Sequence, residues 1–200
     1  MNLNILETNI YYYENVLENP KQLIKDIEAL DLVSDETTPI TKWKEWVAYQ
    51  SDYSFGAQKT ILESVFDNKN IFYKESISIY NRINEAIVNV SLDYAKKHDD
   101  LNIGKLTPLS ISKYNIDRSM GPHVDSHDDD PLKTISVVLY LNDNYEGGQL
   151  YFKDQDILIK PKEGSIVVFP SKKPYFHESQ TLISGTKYMT PGFWQLQPGE

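Results

Sequence analysis

Residues 134–171 read TISVVLYLNDNYEGGQLYFKDQDILIKPKEGSIVVFPS. Four short β-prone runs, 134–142, 148–153, 157–161 and 165–171, alternate with the turn-forming clusters NDNYEGG, KDQD and KEG. In the first run, strict alternation sets Ser136, Val138 and Tyr140 on one face and Val137, Leu139 and Leu141 on the other. If both faces are covered, the Tyr140 hydroxyl needs a buried partner: a backbone carbonyl, or a ligand carboxylate. Outward from this block, LTPLSISKYNI (106–116) precedes it, and HESQTLI and TKYMTPGFWQLQ follow. About seven or eight short strands at this spacing predict a sandwich, a jelly roll or a small barrel.

The first half has a different texture. Pro20 opens PKQLIKDIEAL, whose Leu23, Ile24, Ile27 and Leu30 lie at helical spacing. Residues 71–98 predict a second helix, with Ile77, Tyr80, Ile83, Ile87, Val90 and Tyr94 as its apolar face and Lys96, Lys97 and His98 at its end. The aromatic stretch 41–57 reads as one or two short strands or a hairpin. No linker, repeat or low-complexity tract interrupts the chain. The expectation is one domain over 1–200 of the α+β class with a mainly β core. Residues 1–105 would be a helical and β support that also carries substrate loops, and 106–197 the β core.

Composition narrows the chemistry. The chain has 200 residues, 40% hydrophobic and 12% aromatic, enough to build a core. Twenty Lys and Arg against 29 Asp and Glu leave a net charge of −9, so nucleic acid is not an expected partner. There is no Cys, which excludes disulfides, iron–sulfur clusters, thiolate zinc sites and a Cys nucleophile. The N-terminus MNLNILETNIYYYENV lacks the basic and apolar regions of a signal peptide, and no window reaches the length of a membrane span. A cytoplasmic protein without a membrane is expected.

His and carboxylate remain as the strong metal ligands, and there are only four His. Three lie in His-x-Asp triplets: His98/Asp100, His123/Asp125 and His127/Asp129. Residues i and i+2 of extended chain point to one side, so each is a natural half-site, though local Asp runs make the triplet weak by itself. His98 ends a predicted helix and reads as a surface residue. His127 and Asp129 sit in the polar loop SHDDDP. His123 and Asp125 follow Gly121-Pro122 at the edge of the β region, and His177 lies 54 residues beyond His123. Two His and one Asp make a facial triad suited to Fe(II), with open positions for a bidentate co-substrate and O₂. A zinc hydrolase could use the same three ligands, and a jelly-roll binding module would use none. Lys187, ten residues after His177, favours a co-substrate with a distal carboxylate. Ile183-Ser184-Gly185 reads as a turn that pairs Lys187 near Leu182.

GPHVD, LYLN, GGQLYF, GSIVVFPS, FHES and Lys187, in this order over about residues 106–196, resemble the 2-oxoglutarate- and Fe(II)-dependent oxygenases of the prolyl 4-hydroxylase type. The resemblance implies a double-stranded β-helix, or jelly roll, with an N-terminal helical layer. It implies that His123, Asp125 and His177 bind Fe(II), and that Lys187 pairs with the distal carboxylate of 2-oxoglutarate while Tyr140 donates to it. Tyr114 matches a tyrosine lining the chelating end of the co-substrate. The implied cofactors are Fe(II), 2-oxoglutarate and O₂, with ascorbate as reductant. The implied substrate is proline in a peptide or protein, or else a free amino acid or small metabolite. Trp43, Trp46, Tyr49, Tyr53 and Phe55 could line a peptide groove, or pack as core and edge. The family often has Trp six residues after the basic residue; position 193 is Phe, Trp194 follows, and Pro191-Gly192 predicts a bulge that resets the register.

Overall fold

The computed structural model describes residues 1–33, 43–50, 53–62, 74–98, 101, 103–126 and 133–195. In chain order the elements are β1 (Asn2–Glu7), β2 (Ile10–Glu14), α1 (Pro20–Val33), β3 (Trp43–Gln50), β4 (Tyr53–Leu62) and α2 (Lys74–Lys96). Then follow β5 (Lys105–Leu106), β6 (Ile111–Tyr114), β7 (Met120–His123), β8 (Lys133–Tyr140), β9 (Glu146–Gly147) and β10 (Leu150–Phe152). The chain closes with β11 (Ile157–Ile159), β12 (Ser165–Pro170), β13 (His177–Ser179), β14 (Leu182–Ser184) and β15 (Lys187–Gln195).

Nine strands form a major sheet in the order β1-β2-β12-β8-β15-β6-β4-β3, with β5 added beside β15. Four strands form a minor sheet, β11-β10-β13-β7, and β14 pairs with β9. The alternation read in 134–142 holds. Ile135, Val137, Leu139 and Leu141 belong to the core beneath the helices, and Val138 and Tyr140 to the second core with Phe152 and Ile159 of the minor sheet. Covered on both faces, β8 and β12 carry apolar residues at most positions. This is the expected jelly roll with helices on one side.

On the helix side, α1 buries Leu23, Ile27 and Leu30. The buried stripe of α2 is Ile79, Ile83, Ala86, Ile87, Val90 and Tyr94. Ile77 is 42% exposed, so the face is turned from the expected one at its first turn. His98, expected at the surface, is half-buried: its ring lies 4.3 Å from that of Tyr94 and 5.2 Å from that of Tyr11.

The first half supplies more than helices. β1 and β2 form a hairpin that sequence reading passed over. Tyr11–Tyr13 of β2 pair with Ile166–Val168 of β12, extending the major sheet. Alternation then sends Tyr11 and Tyr13 to the helices and Ile10 and Tyr12 to the inter-sheet core. The aromatic stretch is the β3–β4 hairpin, joined to β6 through Thr60–Leu62.

Candidate metal and co-substrate site

His123 ends β7 and His177 begins β13; the two strands are neighbours in the minor sheet, and these residues are register partners. Asp125 lies just past β7, where its own amide and that of Ser126 both donate to the Ser171 carbonyl at 2.9 Å. Sequence neighbours and a residue 54 positions away thus meet because β7 and β13 pair. The ligand atoms of the three side chains lie within 4.8 Å of one another. His123 Nε2 is 3.5 Å from Asp125 Oδ1, and His177 Nε2 is 3.4 Å from Oδ2. Among the described residues this is the one group of three His, Asp or Glu that could hold a metal ion. Asp100, His127 and Asp129, with the rest of the SHDDDP loop beyond Ser126, lie outside the described residues.

The protonation states suit a metal. His123 Nδ1 sits 2.8 Å from the Gly121 carbonyl, and His177 Nδ1 3.1 Å from the Tyr175 carbonyl. A carbonyl only accepts, so each Nδ1 carries the hydrogen and a neutral ring keeps its lone pair at Nε2. Burial pushes the His177 pKa down to about 4, against the opposing pull of Asp125, so the ring is neutral at pH 7. Burial alone would raise the Asp125 pKa. The two imidazoles and the Ser136 hydroxyl outweigh it and hold the carboxyl well below the usual carboxylate range. Two imidazoles and one carboxylate, all partly or fully buried, fit a divalent cation such as Fe(II). Phe169 lies edge-on to the His177 ring with centroids 4.6 Å apart, and Phe152 is 5.7 Å away.

Lys187 begins β15, in the major sheet, with Tyr114 of β6 as its register partner. It does not pair near Leu182. Leu182 pairs with Gly147 instead, because the turn at Gly185 carries the chain from β14 into a different sheet. The Lys187 side chain is fully buried. Its Nζ donates to the Gly148 carbonyl at 2.6 Å and to Ser179 Oγ at 2.8 Å, and lies 5.3 Å from the centres of both the Tyr114 and Tyr140 rings. The hydroxyls of Tyr114 and Tyr145 are buried with no hydrogen-bond partner among the described residues. Burial raises the pKa of Tyr114, Tyr140 and Tyr145, so all three stay neutral O–H donors. A buried ammonium beside the partnerless phenol of Tyr114 fits a small anion with several oxygens.

The Pro191-Gly192 bulge is absent. β15 runs in unbroken register with β8 from Met189↔Tyr140 to Trp194↔Ile135, and the shift falls between Trp194 and Gln195. Phe193 therefore shares the face of its partner Ser136, toward the site, while Trp194 turns to the helices and donates to Ser91 Oγ at 2.8 Å. In the aromatic stretch, Trp43 packs 6.3 Å from Tyr188, and Trp46 is 37% exposed. The side chains of Tyr49, Tyr53 and Phe55 lie outside the described residues.

Residues 109–195 match the sequence profile of the 2OG-Fe(II) oxygenase superfamily. These residues are a 2OG-Fe(II) oxygenase domain. The enzyme is thus a 2-oxoglutarate-dependent dioxygenase, of a superfamily that works with Fe(II), 2-oxoglutarate and O₂. Its fold is similar to three solved prolyl hydroxylases. The first is from Trichoplax adhaerens, solved with a hypoxia-inducible-factor peptide (TM-score 0.68, 16% identity, covering 94% of this chain and 84% of that one). The second is the prolyl 4-hydroxylase of Pseudomonas putida (0.65, 16%, 94% and 93%). The third is the viral collagen prolyl hydroxylase of Paramecium bursaria chlorella virus-1 (0.60, 14%, 95% and 97%). No curated protein matches the sequence. Among the described residues no helix is long and apolar enough to cross a membrane.

The candidate site also contains groups that sequence reading did not single out. Ser179 and the Gly148 carbonyl hold Lys187, and Ser136 and Ser171 stand behind Asp125. Ser136 was accessible to sequence reasoning, since alternation puts it on the Tyr140 face. Ser171 was not, because only the pairing of β12 with β8 brings it there.

Proposed function

We propose that this oxygenase hydroxylates an unactivated C–H bond of proline in a peptide or protein, with His123, Asp125 and His177 holding Fe(II). The observation that carries this reading is the convergence of two sites on one inter-sheet space. The minor sheet contributes the His–Asp–His cluster, and the major sheet contributes the buried Lys187 flanked by Tyr114 and Tyr140. When bound, Fe(II) and 2-oxoglutarate supply oxidative decarboxylation by O₂ to succinate and CO₂, coupled to hydroxylation. The chain's own residues do the positioning. His123 and His177 offer Nε2 lone pairs, and Asp125 offers the single negative charge. Lys187 neutralises the distal carboxylate, Tyr140 donates to it, and Tyr114 lines the chelating end. Phe152 and Phe169 keep water from the back of His177. The peptide substrate is supported by the fold shared with prolyl hydroxylases, and exposed Trp46 on the β3–β4 hairpin supplies a surface for it.

The test is succinate formation by the purified protein with Fe(II), ascorbate and 2-oxoglutarate, with and without proline-containing peptides. Free proline and other amino acids serve as parallel arms. His177→Ala should abolish turnover. Lys187→Ala loses one charged partner of the co-substrate, worth about 3 kcal/mol, so its KM for 2-oxoglutarate should rise about 100-fold with activity returning at high co-substrate. Failure of the metal-loaded protein to bind 2-oxoglutarate would overturn the co-substrate assignment. Stimulation by a free amino acid and not by peptides would overturn the peptide substrate.

A further inference from the structure

Behind the candidate iron site lies a short buried chain of hydroxyl groups. Ser136 Oγ donates to Asp125 Oδ2 at 2.6 Å, and Ser136 Oγ and Ser171 Oγ are 2.9 Å apart. Both serines are fully buried. The direction of each bond follows from chemistry. An ionised carboxylate only accepts, so the one Ser136 proton goes to Asp125. The contact between the serines must then run from the Ser171 hydroxyl to Ser136 Oγ. The order is Ser171 to Ser136 to Asp125.

Ser171 grips Asp125 a second time through the backbone. Its carbonyl accepts the amides of both Asp125 and Ser126, and its own amide donates to the Thr134 carbonyl at 3.1 Å. Ser136 sits in the middle of β8, and Ser171 directly follows β12, the strand hydrogen-bonded to β8 through Phe169↔Ser136 and Pro170↔Ile135. Asp125 lies beyond the end of a minor-sheet strand, yet both its backbone and its carboxylate are tied to the central strands of the major sheet.

We infer that Ser171 and Ser136 form a relay that fixes the orientation of the Asp125 carboxylate toward the metal, with Oδ1 3.5 Å from His123 Nε2 and the Ser136-bonded Oδ2 3.4 Å from His177 Nε2. The inference rests on the reading of His123, Asp125 and His177 as the iron site. A carboxylate with both oxygens free can turn about its Cβ–Cγ bond or chelate through both oxygens. One held by a short hydrogen bond on Oδ2 keeps one orientation, with one lone pair of that oxygen committed to Ser136. Ser136 and Ser171 touch neither metal nor substrate; they are positioning residues, and removing such outer partners costs roughly 10–100-fold in metal affinity.

The experiment titrates metal-free full-length protein with Co(II) without O₂, following the visible Co(II) bands and their saturation. Wild type, Ser136→Ala, Ser171→Ala and Asp125→Ala are compared, and thermal unfolding of each metal-free protein checks that it is folded. Ser136→Ala should bind Co(II) about 10–100-fold more weakly and with altered bands, as the carboxylate changes its mode of ligation. Ser171→Ala should shift both readouts the same way by less, since Ser136 keeps its bond to Asp125. Wild-type affinity and bands in Ser136→Ala, with Asp125→Ala no longer binding, would overturn the relay and leave the two serines as packing. Undiminished binding by Asp125→Ala would overturn the iron-site reading itself, and the relay with it.

Discussion

His177 shows how burial and charge compete at one side chain. Burial disfavours the imidazolium and the Asp125 carboxylate favours it; burial wins and the pKa falls to about 4. In the unfolded chain the ring titrates near 6.5. Folding stability from this group is therefore complete above about pH 6.5 and is lost as pH falls toward 4, because the unfolded state takes up the proton first. We expect the urea midpoint of the metal-free protein to drop across this window, and His177→Gln to remove most of that drop. A His177→Gln profile parallel to wild type would show that other groups carry the acid sensitivity. The same neutral ring keeps its lone pair available to a metal at pH 7.

Among the elements, the short pair of β9 and β14 has an influence out of proportion to its length. Its Gly147 has φ +75°, and a Cβ there would meet the Thr181 carbonyl oxygen at 2.1 Å. Backbone cannot move aside as a flexible side chain can. Gly148, at φ +63°, follows, and its carbonyl accepts from Lys187 Nζ. The two glycines thus bring main chain close enough for a carbonyl to meet a buried ammonium. Gly147→Ala combines an unfavourable backbone conformation with overlap and should cost about 2–4 kcal/mol in urea unfolding. A loss under about 0.5 kcal/mol would mean that the pair can separate freely. Sequence reading took GG as a turn signal and stopped there, since the carbonyl and the lysine it meets are 39 positions apart.

Over the whole molecule, the helical layer is tied to the major sheet by a mixed cluster beside its apolar core. Glu28 of α1 receives Lys113 Nζ of β6 at 2.9 Å and the Tyr188 hydroxyl of β15 at 2.7 Å, and Lys113 lies over the rings of Trp43 and Tyr188. Burial would raise the Glu28 pKa, but the hydrogen bonds from Lys113 and Tyr188 together with the Lys113 charge lower it below 4.5. The sign is that of a depressed carboxyl: its contribution is present above about pH 4.5 and is lost as pH falls below that value. Thermal unfolding of Glu28→Gln should lie below wild type at pH 7 and converge with it toward pH 3. An equal gap at both pH values would assign the loss to packing instead of charge. This acid limb lies below most of that of His177, and the two overlap only near pH 4–4.5, so one pH series separates them.

Sequence alone determined the β-rich second half, the alternation of β8, both helices and the triad candidates, because these depend on local period and residue type. The phase of α2 was read wrongly at Ile77, since a helical stripe has a spread of neighbours and only the sheet beneath selects among them. The β1–β2 hairpin was missed because nothing local shows that IYYYE will pair with β12, a partner about 150 positions away. Pro191-Gly192 looked like a bulge by residue type, yet the pairing of β15 with β8 keeps its register straight through. Which aromatic faces the site, what surrounds Lys187, and which hydroxyls hold Asp125 were decided only by tertiary structure. Each depends on which strands become neighbours, and strand pairing across a long chain is fixed by the burial of both sheet faces together.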